Sequence, residues 1–89
     1  MNTLMVETDI RVHQVIIHDD SFSVELIDGR TITVPLAWFP RLLSATSEQL
    51  QNWEICGGGY GIHWDDIDED ISTEGLLRGA AAPRRSFPA

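Results

Sequence analysis

Lysine is absent from this chain, and all six of its basic residues are arginines. Two of these, Arg84 and Arg85, lie in the C-terminal tail, so residues 1–82 set four arginines against all fourteen acids, within a net charge of −8. A surface so poor in cations excludes free nucleic acid as an expected ligand, because phosphate capture depends on positive charge displacing counterions. An anionic membrane surface is disfavoured for the same reason. A basic partner protein is favoured, since complementary charge steers encounter. The plainer purpose of such acidity is to keep a small protein in solution.

Cysteine is almost missing as well. Cys56 stands alone, so there is neither an internal disulfide nor a multi-cysteine zinc site, and a reducing cytoplasmic setting is expected. Its expected role is a small buried apolar residue rather than a reactive thiol. No stretch approaches the ~18 apolar residues of a membrane span, and no basic segment leads into an apolar run at the N-terminus. Neither membrane insertion nor secretion is expected.

What is present suits one small domain. A chain of 89 residues buries only about 60–65% of the surface its unfolded form exposes, so the core is thin. Hydrophobic residues make up 43%, enough to fold. Trp38, Trp53 and Trp64 can each remove a large apolar area from water.

Residues 1–8 read as a loose lead-in. Ile10, Val12, Val15, Ile16 and Ile17 make a β-branched run that predicts a strand with a bulge near His13–Gln14. Phe22, Val24 and Leu26 alternate with Ser21, Ser23 and Glu25, as in a strand buried on one face. Asp28-Gly29 predicts a two-residue type I′ turn, and Ile32 and Val34 alternate with Thr31 and Thr33 in the returning strand. Pro35 ends the pairing, and a short helix is expected at Arg41–Ala45. Thr46 with Gln49 forms a candidate capping box for a second helix over Ser47–Asn52. Trp53–Ile55 and Tyr60–Trp64 read as the strands of a second hairpin around Gly57-Gly58-Gly59. Ser72 caps a last helix, which Gly79 stops. The expected fold is α+β: an antiparallel three-stranded meander, then short helices and a second hairpin, in a single domain over residues 1–79. Residues 80–89, rich in alanine, proline and arginine, are expected to be a disordered tail.

Five of the six residues from Asp65 to Asp70 are acids. With His63 they form the one grouping that resembles a metal or acid–base site. Calcium-loop spacing is absent. Counting from Asp66, Asp68 and Asp70 fit the first ligand positions, but Ile71 stands where the turn glycine belongs and Leu77 where the final glutamate belongs. The competing reading is a solvated acidic turn with helix-capping carboxylates. Gly57–Gly61 lacks the lysine and the parallel strand–helix context of a phosphate loop. Cys56 and His63 could face each other across the second hairpin as a thiol–imidazole pair, although packing explains both. No catalytic residue, cofactor or metal is assigned.

The run from Asp28 to Gly79 resembles the small bacterial family catalogued as domain of unknown function 2442, and the resemblance covers roughly residues 10–79. Asp28-Gly29-Arg30, Val34-Pro35-Leu36, Trp38-Phe39-Pro40-Arg41-Leu42, Gly61-Ile62-His63-Trp64, Asp68-Glu69-Asp70-Ile71 and Leu76-Leu77-Arg78-Gly79 carry the resemblance. Asp65 stands where the family often has proline. The resemblance implies a compact α+β fold. It also implies partnership with a small neighbouring protein, in an arrangement similar to a toxin–antitoxin pair. Some members are fused to a helix-turn-helix domain, and the short tail after Gly79 leaves the expectation of none here. The family brings no catalytic residues.

Charge, clustered acids and resemblance together predict a non-enzymatic, antitoxin-like interaction module. Its expected contact surface is Trp38, Phe39, Trp64, Asp65, Asp66, Asp68, Glu69 and Asp70, aromatic rings being enriched where interfaces concentrate their energy. The rivals are a metal-dependent protein centred on His63 and a homo-oligomer, such as a homodimer, joined at a strand edge.

Overall fold

A computed structural model describes residues 7–79. Most of the expected lead-in and the whole of the expected tail lie outside the described residues.

Alternation along the first third of the described chain builds an antiparallel sheet in the order β1 (Val12–Ile17), β2 (Ser21–Leu26), β3 (Thr31–Pro35). The register slips between Val12, opposite Leu26, and Gln14, opposite Glu25. His13 is thereby the extra residue of the expected bulge. Past Pro35 the chain makes a 3-10 turn over Leu36–Trp38 and two short helices, α1 (Pro40–Leu43) and α2 (Ser47–Gln51). The capping box forms: Gln49 N–H donates to Thr46 Oγ1 at 3.1 Å, and Thr46 N–H donates to Gln49 Oε1 at 3.0 Å.

A second antiparallel sheet follows, in the order β4 (Trp53–Cys56), β5 (Gly61–Trp64), β6 (Glu69–Ser72). A glycine 3-10 turn, Gly57–Gly59, joins its first two strands. The last helix, α3 (Thr73–Arg78), is capped by Ser72 Oγ, which accepts from Gly75 N–H at 3.0 Å, and closes at Gly79 with φ +83°. Both caps match the sequence reading.

Two expectations need correction. Asp28-Gly29 does not make a type I′ turn, because only Gly29, at φ +97°, has a positive φ there. Gly29 N–H donates to Leu26 O at 3.0 Å and Leu26 N–H to Arg30 O at 2.8 Å, the pattern of a type I turn extended by a glycine bulge. Asp28 sets this geometry: its carboxylate accepts the backbone N–H groups of Asp9 (2.9 Å) and Arg30 (3.1 Å). The second correction concerns the acidic run, which is not a turn throughout. Glu69 and Asp70 belong to β6, which completes the second hairpin into a three-stranded sheet.

One core holds both sheets together. Phe22 on β2 and Trp64 on β5 are fully buried, with centroids 6.0 Å apart and rings nearly perpendicular at 80°. Phe39, just before α1, also packs against Phe22, with centroids 6.0 Å apart and rings tilted by 60°. Such edge-to-face pairs contribute about 0.5–1.5 kcal/mol beyond their area. Trp64 also donates its indole N–H to Leu50 O at 3.0 Å, which ties α2 to β5. Among the described residues, no helix is long and apolar enough to cross a membrane.

Candidate functional site

The second sheet separates apolar from charged groups by simple alternation. Ile62 and Trp64 on β5 and Ile71 on β6 face the core. His63 therefore faces outward, between Glu54 on β4 and Asp70 on β6, each its direct cross-strand neighbour. Asp65, the residue after β5, bends back toward the same ring. His63 Nδ1 lies 2.6 Å from Asp70 Oδ1, and Nε2 lies 3.4 Å from Asp65 Oδ1. Asp70 first and Asp65 second hold the imidazole pKa above its ordinary value, because a nearby negative charge favours the protonated ring.

The rest of the acidic run hangs from this edge. Asp65–Ile67 form a single 3-10 turn, and Asp68 follows in the left-handed region at φ +53°, which aspartate tolerates better than most residues. Asn52 Nδ2 donates to Asp66 Oδ2 at 3.0 Å. Arg41 of α1 donates to the Asp68 carbonyl, and its guanidinium lies 3.9 Å from Asp68 Oδ2. The side chains of Asp65, Asp68 and Asp70 are 85%, 88% and 70% exposed, so these carboxylates are open to a ligand. Glu69 differs. It pairs with Trp64 on the core-facing side, is half-buried, and burial pushes its pKa up.

The expected aromatic part of the surface is corrected. Trp64 is fully buried and Phe39 only 4% exposed, because a thin core draws on its largest rings. Trp38 is half-buried and packs against that core. Among the described residues, the aromatic ring most open to solvent is Tyr60, 51% exposed, at the opposite end of β5 from the acidic turn. The structure thus places Asp65, Asp66 and Asp68 along the β5–β6 turn and Asp70 just beyond it on β6, sets His63 and Glu54 beside Asp70, turns Glu69 partly inward, and removes Trp64 and Phe39 from the surface.

The two nitrogens of His63 address different carboxylates on opposite sides of the ring. His63, Asp65 and Asp70 therefore do not converge on one point, and no group of three or more potential metal ligands gathers among the described residues. The thiol–imidazole pairing is also corrected. Cys56 lies opposite Gly61, not His63, and a Cβ at Gly61 would sit 3.0 Å from Cys56 Sγ. Burial, Asp70 and Glu54 push the thiol pKa up, away from the reactive thiolate.

Sequence reasoning passed over a polar row on the outer face of the first sheet. Ser23 Oγ lies 2.8 Å from His18 Nε2 and 2.7 Å from Thr33 Oγ1. The signal was the polar half of the β2 and β3 alternation. A cleft of about 380 Å³, lined in part by Ile17, Asp19, Asp20, Leu36 and Leu43, opens between this sheet and the helices.

The sequence matches over residues 12–82 a family described as protein of unknown function (DUF2442). Among solved structures, the fold is similar to a protein of unknown function from Rhodospirillum rubrum, at a TM-score of 0.77 and 30% identity over 92% of this chain and 100% of that one. It is also similar to an uncharacterised protein from Chromobacterium violaceum, at a TM-score of 0.74 and 24% identity over 86% of this chain and 72% of the other, a likeness of fold alone. No curated protein matches the chain.

Proposed function

The chain belongs to the family of proteins of unknown function DUF2442, and from its surface chemistry we propose a non-enzymatic interaction module that docks a small basic protein on the edge formed by Asp65, Asp66, Asp68 and Asp70. A single observation carries this reading: exposed carboxylates are gathered where few cations offset them. Arg11 is engaged with Asp9 at 2.6 Å and Arg30 with Asp28 at 2.8 Å, both far along the chain from the acidic edge. Among the described residues, Arg41 is the one arginine that reaches the run, and it does so mainly through the Asp68 carbonyl. Gathering like charges costs stability unless a counter-charge relieves it, and a basic surface supplies that relief while steering encounter.

In its finer form the partner is a small basic protein encoded nearby, and this chain covers it as an antitoxin would. A protein that acts on RNA presents positive charge, and an acidic edge can occlude it. Co-purification with the adjacent gene product at low and at high salt tests the proposal. A complex that forms at low salt and weakens at high salt supports it. Absence of a complex at low salt refutes it.

A further inference from the structure

We propose that His63 is a proton-operated clasp on the acidic edge: protonated, it holds Asp65 and Asp70 and partly cancels their charge, and docking of a basic partner expels its proton. The inference rests on the docking role given to this edge.

The geometry makes the case. A neutral imidazole has one N–H and one lone pair, whereas an imidazolium donates from both nitrogens. Both nitrogens of His63 face carboxylate oxygens, at 2.6 and 3.4 Å. Only the charged ring can satisfy both. Once it is neutral with the Nδ1 proton retained toward Asp70, the Nε2 lone pair confronts Asp65, and the longer contact is released. Asp65 is free to leave: its side chain is 85% exposed, and it has no other side-chain partner among the described residues.

Groups on each neighbouring element favour the proton. Glu54 on β4 faces His63 directly, Asp70 does so from β6, and Asp65 from the 3-10 turn. Cys56, further along β4 on the same face, carries a thiol that burial keeps protonated. The neighbours on β5 itself, Ile62 and Trp64, point into the core. No arginine is bonded to any of these acids among the described residues. With only 25% of the His63 side chain exposed, solvent screens the arrangement incompletely. A cation arriving at Asp65 and Asp70 meets the positive ring and competes for the same oxygens. Docking and protonation of His63 therefore oppose each other, and by linkage the affinity for a cationic ligand rises with pH.

The test uses the full chain and a hexa-arginine peptide as probe, titrated by calorimetry at pH 6 and pH 8 at one low ionic strength. His63→Gln and Asp65→Asn are run in parallel, with near-ultraviolet circular dichroism as the check of folding. The wild type should bind about 3–10-fold more tightly at pH 8, as expected for one charge removed a few ångströms from the contact. His63→Gln should bind equally at the two pH values. Asp65→Asn, which leaves the strand pairing intact, should shrink the ratio without abolishing it. If the peptide binds with the same pH ratio in wild type and His63→Gln, the clasp is overturned and the docking edge stands. If the peptide binds at neither pH, the docking edge fails and the clasp fails with it. Where His63→Gln does not fold, an unchanged pH ratio in Asp65→Asn overturns the clasp.

Discussion

The two sheets share a topology, three antiparallel strands in sequential order, yet they handle charge in opposite ways. In the first sheet the acids near the hairpin turn are satisfied internally. Asp28 accepts from Arg30 and from the Asp9 backbone, Asp9 accepts from Arg11, and only 5% of the Asp28 side chain is exposed. Its outer face carries the Ser23–Thr33 hydroxyl pair. In the second sheet Asp65 and Asp70 stand largely in solvent, with His63 as their shared counter-group. The first sheet uses charge to set a turn. The second leaves charge available, as a docking surface requires.

The deepest break in the comparison is the group that joins the sheets. Trp64→Ala removes a fully buried ring that touches Phe22 and bonds to Leu50. The expected cost is about 3–5 kcal/mol, a large share of what a domain this small can hold. Urea denaturation should show a collapsed midpoint, and both sheets should be lost together. A small loss would mean that the sheets are stabilised separately.

Gly29→Val acts on the first sheet alone. Nothing lies within 4 Å of a Cβ built at Gly29, so the cost comes from the positive φ and amounts to about 1–2 kcal/mol or more. Gly29→Asn should recover much of it, since asparagine tolerates this region. If valine and asparagine destabilise equally, backbone strain is not the cause.

Acidity separates the sheets by sign. Arg30 foremost, with the Asp9 and Arg30 N–H groups, holds the Asp28 pKa well below the usual carboxylate range. That contribution is complete above the ordinary value near 3.8 and is lost as pH falls through the folded-state pKa. His63 runs the other way. Its raised folded pKa gives stability that is complete below the ordinary 6.5 and is lost as pH climbs past the folded value. Thermal melts across pH should therefore show Asp28→Asn flattening the acid limb and His63→Gln flattening the fall above the ordinary imidazole value of 6.5. Exchange of those assignments would invert the comparison.

The smallest expected effect on stability is at the docking edge. Asp66→Asn with Asp68→Asn should shift unfolding by less than about 0.5 kcal/mol, since both side chains are exposed and asparagine accepts the left-handed backbone at 68. The same pair should weaken the basic partner by roughly 3–10-fold at low salt and by less at high salt. Unfolding of the double variant would make these carboxylates structural.

Much of this architecture was legible in the chain. Strict alternation gave β2 and β3, Thr46 with Gln49 gave the start of α2, and Ser72 with Gly79 bounded α3. The Asp28-Gly29 turn was legible in place but not in type, because the Asp28 carboxylate is held by the backbone of Asp9, nineteen positions away. Strand β6 was hidden because Ile71 is its single apolar residue, and pairing with β5 makes it a strand. The burial of Trp64 was readable and missed. Ile62 and Trp64 lie two apart around His63, and that spacing already sends both rows to their proper faces.

The position of Trp64 has a practical consequence. Its indole is sealed in the interior and is joined by one peptide bond to the first acid of the exposed edge. Movement of the Asp65 backbone is passed, through a single peptide bond, to a natural chromophore. Trp38 and Trp53, being half-buried, emit further to the red. A ligand that shifts the Asp65 backbone is expected to change the blue side of the emission, which offers a label-free test of contact at that edge.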